Sequence, residues 1–194
     1  YGARLSLIVG LSATAISVVV AFLVGGTSGF FGGKLDLVVQ RFVDAWMCFP
    51  GLLLLLTIMS VVGRGLPQII LVLGISAGIG GSRVVRGAVI GIKENDYFLA
   101  ARAIGSPGTA TLMRHVVPNI MPVVIIIFSI TVGGVILSIA SLSFLGFGLP
   151  PDIPEWGGLL SVTGRRFMEM APHLAFWPGF FLTIVVYSLN MFGD

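Results

Sequence analysis

Charge is what this sequence has least of. Only 10% of its 194 residues are Asp, Glu, Lys or Arg, while 56% are hydrophobic, and the mean hydropathy is +1.07. A water-soluble domain carries about a quarter charged residues. That shortage excludes a chain that solvates its own surface, so the surface must face lipid, and residues 1–194 read as one membrane domain. Cysteine is nearly absent too. Cys48 stands alone in an apolar stretch, which excludes an internal disulfide, and it has no partner at metal-ligand spacing. The excess of 11 basic over 8 acidic residues is modest, and no nucleic-acid signature accompanies it. A signal peptide is not apparent: Leu5–Val24 is too long for such a segment and lacks a small-residue cleavage site. The chain starts at Tyr1 rather than Met and ends at Asp194 without a tail, so it reads as a piece of a longer one.

What is present is long apolar runs. A spanning helix needs about 20 mostly apolar residues, and five stretches are candidates: Leu5–Val24, Ala45–Val62, Leu66–Ser82, Ile120–Gly146 and Leu174–Gly193. Pro50 predicts a kink that neighbouring helices make tolerable, and the last stretch contains Pro178. Gly74, Gly78, Gly80 and Gly81 place the third stretch inside the bundle, because small residues let backbones approach closely. The loops alternate between two sides. One holds Lys34, Arg41, Arg83, Arg86, Lys93, Arg102 and Arg114, and the other holds Arg4, Arg64, Arg165 and Arg166. The basic excess marks the first side as cytoplasmic. Five spans then put the N-terminus outside, which a further helix before Tyr1 would explain.

Gly91–Pro118 is the most informative loop. Asn95 or Asp96 suits a helix start, and Gly105 suits a left-handed residue just past its end. Ser106-Pro107 is a second start signal, with proline at the first helical position. The loop therefore predicts a short helix, a tight turn and a second helix up to Val117. Tyr97, Ala101 and Ile104 share one face of the first helix, with Phe98 adjoining. Such a stripe suits either packing beneath its own bundle or a docking helix presenting Tyr97, Phe98 and Ile104 to a soluble partner.

Tyr97-Phe-Leu-Ala-Ala-Arg-Ala-Ile-Gly105, followed after nine residues by His115-Val-Val-Pro118-Asn119, resembles the EAA loop of binding-protein-dependent ABC permeases. The wider chain resembles the dipeptide/oligopeptide/nickel permease family, and within it the second, C-type subunit. Gly2-Ala-Arg-Leu-Ser-Leu7, Gly29-Phe-Phe-Gly-Gly33, Asp44 through Phe49-Pro50, Arg83-Val-Val-Arg-Gly87, Ser143-Phe-Leu-Gly-Phe-Gly148, Pro154-Glu-Trp-Gly157 and Leu189-Asn-Met-Phe-Gly-Asp194 match its landmarks in order. One departure stands out: Leu99 replaces the glutamate of Glu-Ala-Ala, so no salt bridge is assigned there.

The resemblance implies an all-α, polytopic helical bundle with the type I ABC importer permease fold, five transmembrane helices being present of an expected six. It implies a transport subunit, not an enzyme, in the cell membrane with the loop cytoplasmic. The partners implied are a paralogous permease, two cytoplasmic ATPases that bind the ATP and Mg, and an external solute-binding protein. This chain itself would hold no cofactor, metal or catalytic residue. The cargo implied is a di- or oligopeptide, with nickel chelates or other small solutes as alternatives. The ATPase-coupling interface would be Tyr97, Phe98, Leu99, Ala100, Ala101, Arg102, Ile104 and Gly105.

Ser129, Gly133, Gly134, Ser138 and Ser141 fall roughly along one side of the Ile120–Gly146 stretch and suit either a wet path or close packing. No charge lies deep in a span, which argues against an ion-coupled secondary transporter. Gly74-Ile-Ser76-Ala-Gly78 matches a nucleophile elbow, but lies inside a span rather than on a strand–turn–helix. An intramembrane serine protease is thus a formal alternative, and a glycine-rich packing face the plainer reading. Gly29–Leu35 fails the phosphate-loop pattern, having three residues where four are needed and Leu35 after the lysine. Arg41 and Asp44 suit a local ion pair, and Trp156 suits either a membrane-interface anchor or a partner contact.

Overall fold

The computed structural model describes residues 2–150, 153–161, 171–191 and 193, and every regular element among them is helical. Helix α1 (Gly2–Ala21) continues through a π-helical turn at Phe22–Gly26 into α2 (Thr27–Phe31), making one 30-residue rod. At 1.5 Å per residue such a rod is about 45 Å long and crosses the hydrocarbon core of a bilayer. The helix therefore runs on past the expected span end at Val24. The rod stops only at Gly32 and Gly33, whose φ values of 66° and 59° lie in the left-handed region.

The single span expected over Ala45–Val62 is replaced by two helices. α3 (Gly33–Met47) and α4 (Gly51–Val62) meet at 89° around Cys48-Phe49-Pro50. Pro50 is extended, with ψ 119°. Its ring cannot continue a helix, and it biases the preceding residue away from helical geometry. A sharp turn at Gly63–Gly65 leads into α5 (Leu66–Lys93), which outruns the expected Leu66–Ser82, so that Arg83, Arg86 and Lys93 ride on its C-terminal part.

α6 (Asp96–Ala103) follows, then α7 (Gly108–Thr111), a π-helical turn at Leu112–Val116, and α8 (Val117–Phe144). The widened turn sits just before Pro118, where a missing N–H interrupts the ladder. The second loop helix and the next span are thus continuous. α9 (Trp156–Leu159) and α10 (His173–Met191) complete the described chain. Among the described residues, four helices are long and apolar enough to cross a membrane, or five if the bent α3–α4 pair counts as one span. Arg165 and Arg166, assigned to the side away from the loop helix, lie outside the described residues, as do Phe192 and Asp194 of the last sequence landmark.

Small residues set the central packing. A Cβ on Gly74 would lie 2.8 Å from the Ala13 carbonyl oxygen, and one on Gly78 2.7 Å from that of Ser17. Ser82, one turn further along α5, is fully buried, and a Cβ on Gly25 would overlap its carbonyl. α1 and α5 therefore meet backbone to backbone. α8 covers this pair, with Val135, Ile139 and Leu142 packed on Val9, Ala13, Ile69 and Leu73. A second cluster, Ala21, Val85, Val89, Ile92, Val116 and Ile120, fills the end nearest α6. Trp156, between α8 and α10, is 7% exposed and packs with Ala140 and Leu182.

Candidate functional site

The loop helix α6 is held from both sides. Lys93, at the end of α5, donates to the carbonyls of Gly29 (3.0 Å) and Phe30 (2.9 Å). Those are C-terminal carbonyls of the first rod, where a cation is favoured by the helix dipole. Phe98 is 2% exposed, joins the Val89–Ile92–Val116–Ile120 cluster and meets Phe30 edge-on at 6.4 Å. Ala101 is buried beside it.

Tyr97 (41%), Leu99 (51%) and Ile104 (86%) point outward with Ala100 and Arg102, and the Tyr97 ring lies 6.4 Å from His115. The expected outward trio is therefore corrected at Phe98, an inward anchor, and the expected shared face is split, Ala101 being buried while Tyr97 and Ile104 are exposed. Gly105 takes φ 77°, as its position predicts. The Ser106 amide bonds to the Ala101 carbonyl (3.1 Å) and the Gly105 amide to that of Arg102 (3.0 Å), closing the helix with a Schellman cap. Asn95 stands at the helix start, but its side chain bonds back to Gly91 instead of capping α6.

A second set of contacts ties α3 to α5. Arg86 donates twice to Asp36, Nε to Oδ1 and Nη2 to Oδ2, both at 2.6 Å. Arg83 pairs with Asp44, which also receives Arg41 at 3.3 Å. The Arg41–Asp44 pair is legible in the sequence. The fork between Asp36 and Arg86, 50 positions apart, is not. Its one sequence signal is Arg83-x-x-Arg86, two cations on one helix face.

Between the α3–α4 bend, α5 and α8 lies a cleft of about 520 Å³, lined by Trp46, Phe49, Ser76, Thr131, Gly134 and Ser138 among others. Of the five pathway candidates, Gly134 and Ser138 reach it. Gly133 is buried, and a Cβ there would stand 2.8 Å from Asn190 Nδ2 and 3.5 Å from Val186. Ser129 and Ser141 lie outside its lining, and their hydroxyls, like that of Ser138, donate to the carbonyl one turn earlier. Gly134 and Ser138 are one turn apart, whereas Gly133 sits 100° round the helix and serves α10. Ser76 also enters the cleft, because two residues from Gly74 and two from Gly78 it faces away from their packing stripe. Its hydroxyl has no hydrogen-bond partner among the described residues, so no base stands ready to activate it.

Residues 9–194 match the model of one family, the binding-protein-dependent transport system inner membrane component. The chain belongs to this family. It is 34% identical to the oligopeptide transport system permease protein OppC of Haemophilus influenzae over all of its own length and 62% of that protein's. It is 32% identical to the glutathione transport system permease protein GsiD of Pectobacterium atrosepticum, covering 64% of it, and 33% identical to OppC of Bacillus subtilis, covering 63%. The chain thus spans just under two thirds of these relatives. Each of the three is named a transport permease. Among solved structures, a chain of the MetNI methionine ABC transporter in an inward-facing conformation superposes with a TM-score of 0.74 at 21% identity, over 97% of this chain and 91% of that one. That likeness establishes the ABC importer permease fold.

The end of this transport-system component away from α6 carries a different feature. Glu155, between α8 and α9, is 2% exposed. Burial pushes its carboxyl above the ordinary glutamate range, an effect opposed in part by the nearby Ser143 hydroxyl and Gly158 amide. Neither carboxylate oxygen nor the Ser143 hydroxyl completes a hydrogen bond of good geometry among the described residues.

Proposed function

We propose that the protein containing this chain forms half of a peptide-translocation pathway in the cell membrane, opposite a paralogous permease. Two cytoplasmic ATPases drive it, binding ATP and Mg themselves, and an external solute-binding protein delivers the cargo. The di- or oligopeptide reading draws on the oligopeptide and glutathione permeases among the relatives; nickel chelates and other small solutes are the alternative cargo.

The observation that carries this reading is the state of α6: an eight-residue helix anchored by Phe98 and Ala101, with Tyr97, Leu99 and Ile104 left exposed outside the bundle. Exposed apolar side chains on a clamped helix suit a docking joint. Because α7 runs into α8 without a break, a push on α6 reaches the wall of the cleft. ATP-driven closure of the ATPases would tilt a bundle that has two packings, each with its own contacts. The cleft lining contains no ionisable side chain among the described residues, which suits passage of a polyfunctional solute better than an ion-coupled relay.

The test is ATP hydrolysis and peptide uptake in proteoliposomes containing the complete complex. Tyr97→Ala combined with Ile104→Ala should lower both at least about tenfold while the permease pair still assembles, a factor worth about 1.4 kcal/mol. Normal coupling and normal ATPase co-purification in that variant would remove α6 as the joint.

A further inference from the structure

On the face opposite α6, the connection after α8 and the start of α10 enclose a cavity of about 500 Å³. Leu149, Pro150, Ile153, Leu174, Trp177 and Pro178 make most of its wall apolar. Its polar groups include the Glu155 carboxyl and the Ser143 hydroxyl, while the Ser161 hydroxyl is spent on the Gly158 carbonyl. Glu155 and Ser143 are at least nine-tenths buried, and both groups are without a completed hydrogen bond among the described residues. Two ionisable residues share the lining, Arg64 from the α4–α5 turn and His173 from the start of α10. Arg64 is exposed, with its guanidinium 5.4 Å from the centre of the Phe147 ring and no ion pair among the described residues.

A buried carboxyl group with no completed hydrogen bond among the described residues is costly to ionise, and a cation arriving beside it would offset that cost. The volume falls in the range of small-ligand pockets, and apolar walls with a few converging polar groups are the mark of one. We infer that this cavity is a binding site for a short zwitterionic peptide, with its terminal ammonium on Glu155 and Ser143, an apolar side chain against Trp177 and Pro178, and its carboxylate toward Arg64. The ammonium donates to the acceptor oxygens of Glu155 and Ser143, completing bonds that the described residues leave unmade. The inference rests on the peptide-permease reading and adds a resting place on the permease itself, before the cleft.

The test uses the complete permease–ATPase complex in lipid nanodiscs without the solute-binding protein. The probes are the dipeptide Ala-Phe, its N-acetyl form and phenylethylammonium. Ala-Phe and phenylethylammonium should compete for one site, and acetylation should weaken the dipeptide by about tenfold or more. Glu155→Gln should erase the difference between free and acetylated dipeptide, and Ser143→Ala should narrow it. Should Glu155→Gln fail to assemble, the acetylation contrast in the wild type and the Ser143→Ala variant decide the matter. Equal binding of free and acetylated dipeptide by the wild type overturns the site, as does an undiminished contrast in either variant. Uptake of Ala-Phe into proteoliposomes with the binding protein present separates the two readings. Uptake without any Glu155-dependent binding sinks the site and leaves the importer standing. Glu155-dependent binding of phenylethylammonium with no peptide uptake sinks the peptide as occupant.

Discussion

At Phe98 and Ile104, both on one short stretch of chain, hydrophobic side chains serve opposite ends. Phe98 fills the cluster under the bundle and Ile104 stands in the open. Phe98→Ala should therefore cost stability, about 3–5 kcal/mol for a fully buried phenylalanine, read as a lower thermal midpoint in detergent. Ile104→Ala should leave that midpoint unchanged and act only on coupling. Gly105 differs again: a Cβ there would meet nothing within 4 Å, yet φ is 77°. Gly105→Val should strain the turn by about 1–2 kcal/mol without a steric clash, and Gly105→Asn should restore most of the loss. Glu155 has a pH signature. Its folded pKa is raised above 4.5, so the folded state holds the proton more tightly than the unfolded one. Stability must then fall as pH rises from below 4.5 through the raised value. Glu155→Gln should remove that decline, so that thermal midpoints of the two proteins diverge with increasing pH.

α3 touches the bundle sparingly. Val43 is its one buried residue, while Leu37, Val38 and Phe42 are exposed. Its position depends on two charged contacts of unequal quality. The Asp36–Arg86 fork is bidentate and largely shielded, whereas Asp44 and Arg83 are more than a third exposed. A double-mutant cycle on Asp36→Asn and Arg86→Gln should yield a coupling of about 1–3 kcal/mol. The same cycle on Asp44 and Arg83 should yield under about 1 kcal/mol. A coupling under about 1 kcal/mol for Asp36 and Arg86 would mean that α3 is not tied at its start. Pro50 sets the bend, because the break depends on its extended backbone and missing donor.

The whole bundle has two ends, with α6 at one and the Gly63–Gly65 turn, α9 and Glu155 at the other. After Cys48→Ser, which removes the exposed native thiol, Arg102→Cys should react with an impermeant maleimide only in inverted vesicles. Arg64→Cys should react in intact cells. Labelling of both from one side would contradict the bundle. Between the ends, Gly134→Leu and Ser138→Leu should fill the cleft and abolish uptake while ATPase subunits still bind. Gly133→Leu should instead fail to assemble, because its Cβ position already lies against Asn190 and Val186.

Properties carried by a few neighbouring residues were legible in the sequence. The lipid-facing composition, four of the five apolar helices, the helix–turn–helix of residues 91–118 and the left-handed Gly105 follow from local hydropathy, cap chemistry and backbone sterics. The tertiary structure decided what depends on rotation about a helix axis or on distant partners. Phe98 and Tyr97 are adjacent in sequence, and only the position of Phe30 and Val89 makes the first an anchor. Gly133 and Gly134 differ by 100° of rotation, so which one faces the cleft waits on where α10 packs. The Asp36–Arg86 fork and the burial of Trp156 and Glu155 join segments whose order along the chain does not specify their angle of approach. In lipid, apolar contacts between helices compete with equally apolar lipid tails. The deciding contacts are therefore close backbone approaches and buried polar groups, whose geometry exists only once the helices have met.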